Sequence, residues 1–312
     1  MPKLYSNLLE LIGNTPIVKI CGTYKGYKPK NLYAKLEYFN PAGSIKDRVA
    51  YNILKCARER GELETGSVIV EPTSGNTGVG LALCASIMGL EFIAVMPENM
   101  SDERKKLIKA YGAQVVLTPK NLGMQGSVDK AAQIIEELKN KGKKVFESKQ
   151  FENPDNPLAH IKTADEIFEA TQGRVDIVIA GVGTGGTICG VSKRLKELNP
   201  KIIACGVEAA ESPLLTQGYA AAHAIQGIGA NFIPKTFERE AVDKIIDVKG
   251  DDAIEMTRLA AKTEGLLTGI SSGAVLKAGI DLDKKFSFEG KEKMIVCILP
   301  DNGERYLSGG VF

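Results

Sequence analysis

The sequence predicts an α/β protein built from two doubly wound α/β domains, on three observations. Short apolar runs alternate with amphipathic stretches of helical period along the chain, many of those runs lack apolar–polar alternation, and 312 residues is long enough for two cores. Strands that alternate with helices form βαβ units and parallel sheets covered on both faces. Such doubly buried strands read as continuous apolar runs, and one core rarely grows much beyond ~250–300 residues.

The strand candidates are 68–71, 92–96, 115–117, 144–146, 175–180, 202–207, 244–248 and 294–299. Between them, 47–60 places Val49, Ile53, Leu54 and Ala57 on one helical face, and 128–138 does the same with Ala131, Ile134, Ile135 and Leu138. A turn-rich stretch, Gln150-Phe-Glu-Asn-Pro-Asp-Asn-Pro157, marks the seam between the two domains.

Composition removes several classes of function. With 44% hydrophobic and 25% charged residues the chain is an ordinary globular protein, and a net charge of +2 without a long basic run leaves no nucleic-acid footprint. No apolar stretch reaches the ~18–20 residues of a membrane span, and the N-terminus is not a signal peptide, so a cytoplasmic location is expected. The six cysteines include no C-x-x-C pair, which argues against a zinc site or a disulfide framework. Two histidines, His160 and His223, are too few for a multi-histidine metal site. No metal is expected. His160 opens a helical stretch and reads as a surface residue or one that supports a site from behind.

Four segments carry chemistry. The first is Asn40-Pro-Ala-Gly-Ser-Ile-Lys46-Asp47-Arg48, a loop that delivers Lys46 to the mouth of a helix, where an amine can bind an anion or act as a nucleophile. The second follows a strand as Thr73-Ser74-Gly75-Asn76-Thr77-Gly78, with hydroxyls and an amide at a helix start suited to a carboxylate. Helix capping by Ser74 or Asn76 explains one such residue but not four. The third, Gly181-Val-Gly183-Thr184-Gly185-Gly186-Thr187, lies between a strand and the helical stretch 188–198. Its glycines let the backbone curl round an anion, and the helix dipole adds roughly 0.3–2 kcal/mol.

Gly181, Gly183 and Gly186 also satisfy G-x-G-x-x-G, and Glu208 ends the next strand about 20 residues on, as in a dinucleotide site. An NAD-dependent dehydrogenase would need Glu208 on a ribose. Thr184 and Thr187, with hydroxyls that can donate, suit a terminal phosphate better. A P-loop is excluded because no G-K-[ST] follows the glycines. The fourth segment is the serine turn Thr268-Gly-Ile-Ser271-Ser-Gly273. A helix-mouth lysine and a phosphate cradle without a nucleotide lysine point to pyridoxal phosphate held through an imine.

With these residues the chain resembles the cysteine synthase and cystathionine β-synthase branch of the pyridoxal-phosphate enzymes of fold type II, which is tryptophan-synthase-β-like. The resemblance runs from Ile12-Gly-Asn-Thr-Pro16 through the Lys46, Thr73–Thr77 and Gly183–Thr187 segments. It continues through Gln226-Gly227-Ile-Gly-Ala230 and Gly269–Ala274 to Gly303-Glu-Arg-Tyr-Leu-Ser308. It implies a larger cofactor-binding domain (1–46 and 150–312), a smaller movable domain (47–149) with the substrate-carboxylate loop, and the cofactor in the cleft between them. It also implies that Lys46 carries the cofactor and then moves the substrate's α-proton, and that Gly183, Thr184, Gly185, Gly186 and Thr187 hold the phosphate. Asn76 would bond the ring hydroxyl oxygen and Ser271 would face the pyridine nitrogen. Thr73, Ser74, Thr77 and Gln150 would bind the substrate carboxylate, with Gly227 near its amino end.

A free lysine has a pKa of ~10.4 and is useless as a base at neutral pH; release from an imine beside a cationic, partly dry site delivers it neutral. A serine at the pyridine nitrogen cannot enforce ring protonation, which favours prompt loss of a β-substituent. The expected reaction is therefore β-elimination to an α-aminoacrylate and addition of a nucleophile, foremost O-acetyl-L-serine plus sulfide to L-cysteine and acetate. The alternatives in the same site are a cysteine-consuming enzyme that releases hydrogen sulfide and forms lanthionine or serine, or a cystathionine β-synthase-type activity. A non-catalytic homologue that binds a partner's C-terminal peptide is an alternative of another class. The family implies a homodimer, with serine acetyltransferase as a partner of the cysteine synthase form. The chain departs from the cysteine synthase pattern in its short 214–225 segment, without Pro-Gly-Pro-His. It departs again at Asn231, where cysteine synthases tend to have Gly and the cystathionine β-synthase type Asp.

Overall fold

The computed structural model describes residues 4–73 and 75–312. Among them the strands are, in chain order, β1 (Ile17–Lys19), β2 (Leu32–Leu36), β3 (Val68–Pro72), β4 (Glu91–Pro97), β5 (Gln114–Thr118), β6 (Val145–Phe146), β7 (Ile177–Gly181), β8 (Ile203–Ala209), β9 (Lys244–Val248) and β10 (Ile295–Leu299). The apolar runs expected to be strands all form, as β3 to β10, with ends displaced by at most two residues. The expected helices are Lys46–Glu59, Gly123–Asn140 and Gly186–Leu198. Neither β1 nor β2 was anticipated. The three residues of β1 give too short a pattern, and β2 carries Lys35 as its next-to-last residue, only 1% exposed. Glu166 neutralises that lysine at 2.5 Å, and its ammonium also donates to the Thr15 carbonyl at 2.7 Å. A buried charge persists only when it is paired in this way.

The described residues form two compact units. One comprises 4–12 with Asn40–Asn156, the other Gly13–Phe39 with Pro157–Phe312. The first unit holds a four-stranded parallel sheet in the order β5-β4-β3-β6. Val68, Val70 and Val95 of its strands pack against Ala131 and Ile135 of the Gly123–Asn140 helix. The Asn76–Met88 helix is apolar all round because it is buried. Its Gly80 admits the Lys46–Glu59 helix closely: a Cβ there would lie 3.0 Å from the Lys46 carbonyl oxygen. The position of Lys46 relative to Asn76 is thereby fixed by packing of two helix backbones.

The second unit holds a six-stranded sheet in the order β1-β2-β10-β7-β8-β9, parallel except for β1. Leu32, Ile177, Ile179, Cys205, Val207 and Cys297 belong to its core, which the Ile270–Phe288 helix closes with Ala274, Val275 and Ala278.

Strand order sets where a ligand can enter. Chain order reverses beside β3 in the first sheet, with β4 on one side and β6 on the other. It reverses beside β7 in the second, with β8 on one side and β10 on the other. Loops leaving the carboxyl ends of strands on either side of such a reversal run in opposite directions and leave a crevice. The 73–77 loop leaves β3, Gln150 follows β6, and the 183–187 loop leaves β7.

Candidate functional site

In the first unit the site residues converge on the β3/β6 crevice. Lys46 is half-buried and is the first residue of its helix; its N–H donates to Ser44 Oγ at 3.2 Å. The carboxylate of Asp47, fully buried, accepts the Ala42 N–H at 2.6 Å and closes the loop that delivers the lysine. After β3, the Thr73 N–H donates to the Val95 carbonyl at 2.9 Å, which carries sheet pairing one residue beyond the strand. Gly75 then caps the helix that begins at Asn76. Thr77, buried in its first turn, donates from Oγ1 to Gln150 Oε1 at 2.6 Å, across the crevice. That bond uses the oxygen of the Gln150 amide and turns its NH2 away from Thr77, available to an oxygen ligand. Thr73, Asn76, Thr77 and Gln150 thus share one region of one unit; Ser74 lies outside the described residues.

In the second unit the glycine loop leaves β7 and enters the Gly186–Leu198 helix. Gly185 has φ +82°, a left-handed conformation for which a side chain is strained. Gly183 has no room for a side chain, since a Cβ would lie 2.6 Å from the Gly227 carbonyl oxygen. The loop is held from outside by Thr236, whose Oγ1 donates to the Thr184 carbonyl at 2.6 Å, and from within by Gly186 N–H to Thr184 Oγ1 at 3.3 Å. The result is a close-packed glycine turn at a helix N-terminus, with no room for side chains at Gly183 and Gly185 and with the Thr184 and Thr187 hydroxyls next to them in the chain, a donor set suited to a phosphate.

His160 is fully buried rather than at the surface. Its Nε2 lies 3.2 Å from Thr187 Oγ1 and its Nδ1 3.3 Å from Thr163 Oγ1. Only the expectation that it supports a site from behind fits this placement. No local pattern in the sequence ties His160 to Thr187; the contact arises where their two helices meet.

Gly227 comes close to Ser271: a Cβ on it would lie 3.5 Å from Ser271 Oγ. Ser271 is buried in the first turn of the Ile270–Phe288 helix. Beside it the buried hydroxyls of Thr268 and Ser272 have no hydrogen-bond partner among the described residues. Asn231 has φ +61°, so the turn that begins at Gly227 (φ +97°) passes twice more through the left-handed region, at Gly229 and Asn231. Asn231 is exposed and lines one small cavity with Gly183, Glu208 and Phe232.

The dehydrogenase reading loses its acid. Glu208 accepts Leu215 N–H at 2.8 Å on Oε2, and Thr216 N–H at 2.9 Å and Thr216 Oγ1 at 2.7 Å on Oε1. Both oxygens are spent on the turn that follows β8. Among the described residues no group of three or more His, Cys, Asp or Glu side chains could hold a metal ion, and no helix is long and apolar enough to cross a membrane.

A family model described as pyridoxal-phosphate dependent enzyme matches residues 8–301. A cysteine synthase of Staphylococcus aureus is 46% identical over 308 residues, covering 98% of this chain and 96% of that protein. Among solved structures, a cysteine synthase from Entamoeba histolytica superposes with a TM-score of 0.92 at 44% identity, covering 99% of this chain and 91% of the other. A hydrogen sulfide-producing enzyme from Fusobacterium nucleatum does so with a TM-score of 0.91 at 42% identity, covering 98% and 99%.

Proposed function

The chain belongs to the pyridoxal-phosphate-dependent enzyme family, and from that membership we propose that this β-replacement enzyme is a cysteine synthase, which converts O-acetyl-L-serine and sulfide to L-cysteine and acetate. The observation that carries this choice is the likeness, across nearly the full length of both chains, to the staphylococcal cysteine synthase. Pyridoxal phosphate is the cofactor. When bound, it supplies an electron-withdrawing ring that stabilises negative charge at the substrate's α-carbon.

The chain's own residues do the rest. Lys46 would hold the cofactor covalently and, as a free amine, would take the proton from the substrate's α-carbon. Gly183, Thr184, Gly185, Gly186 and Thr187 bind the phosphate, with His160 orienting the Thr187 hydroxyl. Asn76 would donate to the ring hydroxyl oxygen, and Ser271 would face the pyridine nitrogen without fixing a proton there. Thr73, Ser74, Thr77 and Gln150 grip the substrate carboxylate, Gln150 through its NH2. Gly227 lies where the substrate's amino end is bound. The enzyme acts as a homodimer in the cytoplasm, with serine acetyltransferase as a partner, and with the movable domain and intervening cleft that the family resemblance implies.

The test is a matrix of O-acetylserine, serine and cysteine against sulfide, cysteine and homocysteine, with products identified by mass. Cysteine from O-acetylserine and sulfide as the dominant product is the expected result. Dominant sulfide release from cysteine would establish the second reading, which the likeness to the hydrogen sulfide-producing enzyme from Fusobacterium nucleatum favours. Asn231 tests that choice directly. Asn231→Gly is expected to change the ratio of cysteine formation to sulfide release about 2–10-fold, the worth of one hydrogen bond, with the bound-cofactor absorbance unchanged. An unaltered ratio would remove this turn from the determination of specificity.

A further inference from the structure

Glu71 is the next-to-last residue of β3, is only 3% exposed, and has no cationic partner among the described residues. Its carboxylate faces the turn after β6. Oε2 accepts the Lys149 N–H at 3.2 Å, and the N–H groups of Ser148 and Gln150 and the Ser148 hydroxyl lie round the carboxylate, near enough to favour its ionised form. Three successive N–H groups can aim at one carboxylate because Lys149 adopts φ +46°, a left-handed conformation unusual for a side-chain-bearing residue. This is a nest, the backbone concavity that binds anions, here filled by the protein's own acid. The far side of the turn is held by Asn153 Nδ2 to the Ser148 carbonyl at 3.0 Å and by Asn156 Nδ2 to the Gln150 carbonyl at 2.6 Å. The residue placed by the turn is Gln150, whose side chain meets Thr77 across the crevice.

We propose that Glu71 is a positioning residue for substrate binding: its carboxylate locks the Ser148–Gln150 turn to the end of β3, so that Thr77 and Gln150 present their donors to the substrate's α-carboxylate as one unit. The proposal rests on the reading of Thr77 and Gln150 as the carboxylate cradle. An acceptor-only group is what converging donors demand. A protonated carboxyl, or the amide of Gln, would turn a donor onto the nest and release one of its N–H groups.

Burial pushes the Glu71 carboxyl up to about 7, against the pull of the nest. The groups facing it are the Ser148 hydroxyl and the N–H groups of residues 148–150, with no charged side chain among them. Two consequences of opposite sign follow. The folded state holds this proton more tightly than the unfolded chain, so the group's contribution to stability is complete below the ordinary glutamate range and is lost as pH rises through about 7. The locked turn, by contrast, belongs to the ionised form and is gained over the same rise.

The experiment measures KM and kcat for the amino-acid donor between pH 6 and 8.5 in the holoenzyme and in Glu71→Gln, Glu71→Asp, Gln150→Ala and the Glu71→Gln/Gln150→Ala double variant. The unsubstituted enzyme should show KM rising as pH falls below about 7. Glu71→Gln should raise KM about tenfold at pH 8 with kcat changed less than about threefold, as for loss of uniform binding. It should also flatten the pH dependence, and it should add little to Gln150→Ala. Glu71→Asp, which keeps the ionisable group, should raise KM less and retain the pH dependence, and it serves if Glu71→Gln does not fold. Unchanged KM in both Glu71 variants, or full additivity with Gln150→Ala, overturns the proposal while leaving the cradle intact. Unchanged KM in Gln150→Ala overturns the cradle reading itself.

Discussion

Lys46→Ala should yield a folded protein without turnover, and borohydride should no longer fix the cofactor to the chain. Proton transfer by a positioned side chain is worth about 10²–10⁴-fold, and loss of the covalent attachment adds to that. The fold is expected to survive. Alanine is the best helix former for the first turn, and the contact that holds this helix against Gly80 is made by the Lys46 backbone carbonyl, which the substitution keeps. The measurement pairs a turnover assay with the visible spectrum and a borohydride-reduced peptide map. Turnover at the level of the unsubstituted enzyme would reject the assignment of Lys46.

Gly183→Val should cost the protein its cofactor. The first added carbon would meet the Gly227 carbonyl oxygen at 2.6 Å, and a backbone atom cannot swing aside as a flexible side chain can. Either the glycine loop or the Gly227 turn must move. Overpacking of this kind costs about 1–3 kcal/mol, or roughly 5–150-fold in affinity if the displaced loop is the phosphate cradle. Titration of the apoprotein with pyridoxal phosphate, followed by its absorbance, reads this out. Affinity equal to that of the unsubstituted chain would separate the loop from cofactor binding.

Much of this is legible in the amino-acid sequence alone. The strands β3 to β10 announced themselves as short apolar runs, uninterrupted where the strand is buried on both faces, as in β7 and β10. The loops after β3 and β7 stood out because polar and glycine residues followed such a run directly. Where the reading failed, long-range pairing was the reason. β2 is a strand because it lies beside β10, and Lys35 in it is tolerable only because Glu166 arrives from a distant helix. His160 reads in the sequence as a surface residue or a support behind a site because it opens a helical stretch; it is buried against Thr163 and Thr187. Glu208 looked free for a ribose because the turn that consumes it lies beyond its own strand.

Glu71 shows the same limit most clearly. In sequence it is an acid before a proline, one of 38 Asp and Glu residues. Its burial and the nest of N–H groups around it exist only because β6 pairs with β3 and Lys149 turns left-handed. The sequence by itself determined the α/β class, the cofactor and the residue types of the chemistry, since these depend on apolar period and on short contiguous motifs. The tertiary structure decided which acids and histidines serve those motifs. That choice depends on strand order, and strand order brings together side chains with no pattern linking them along the chain.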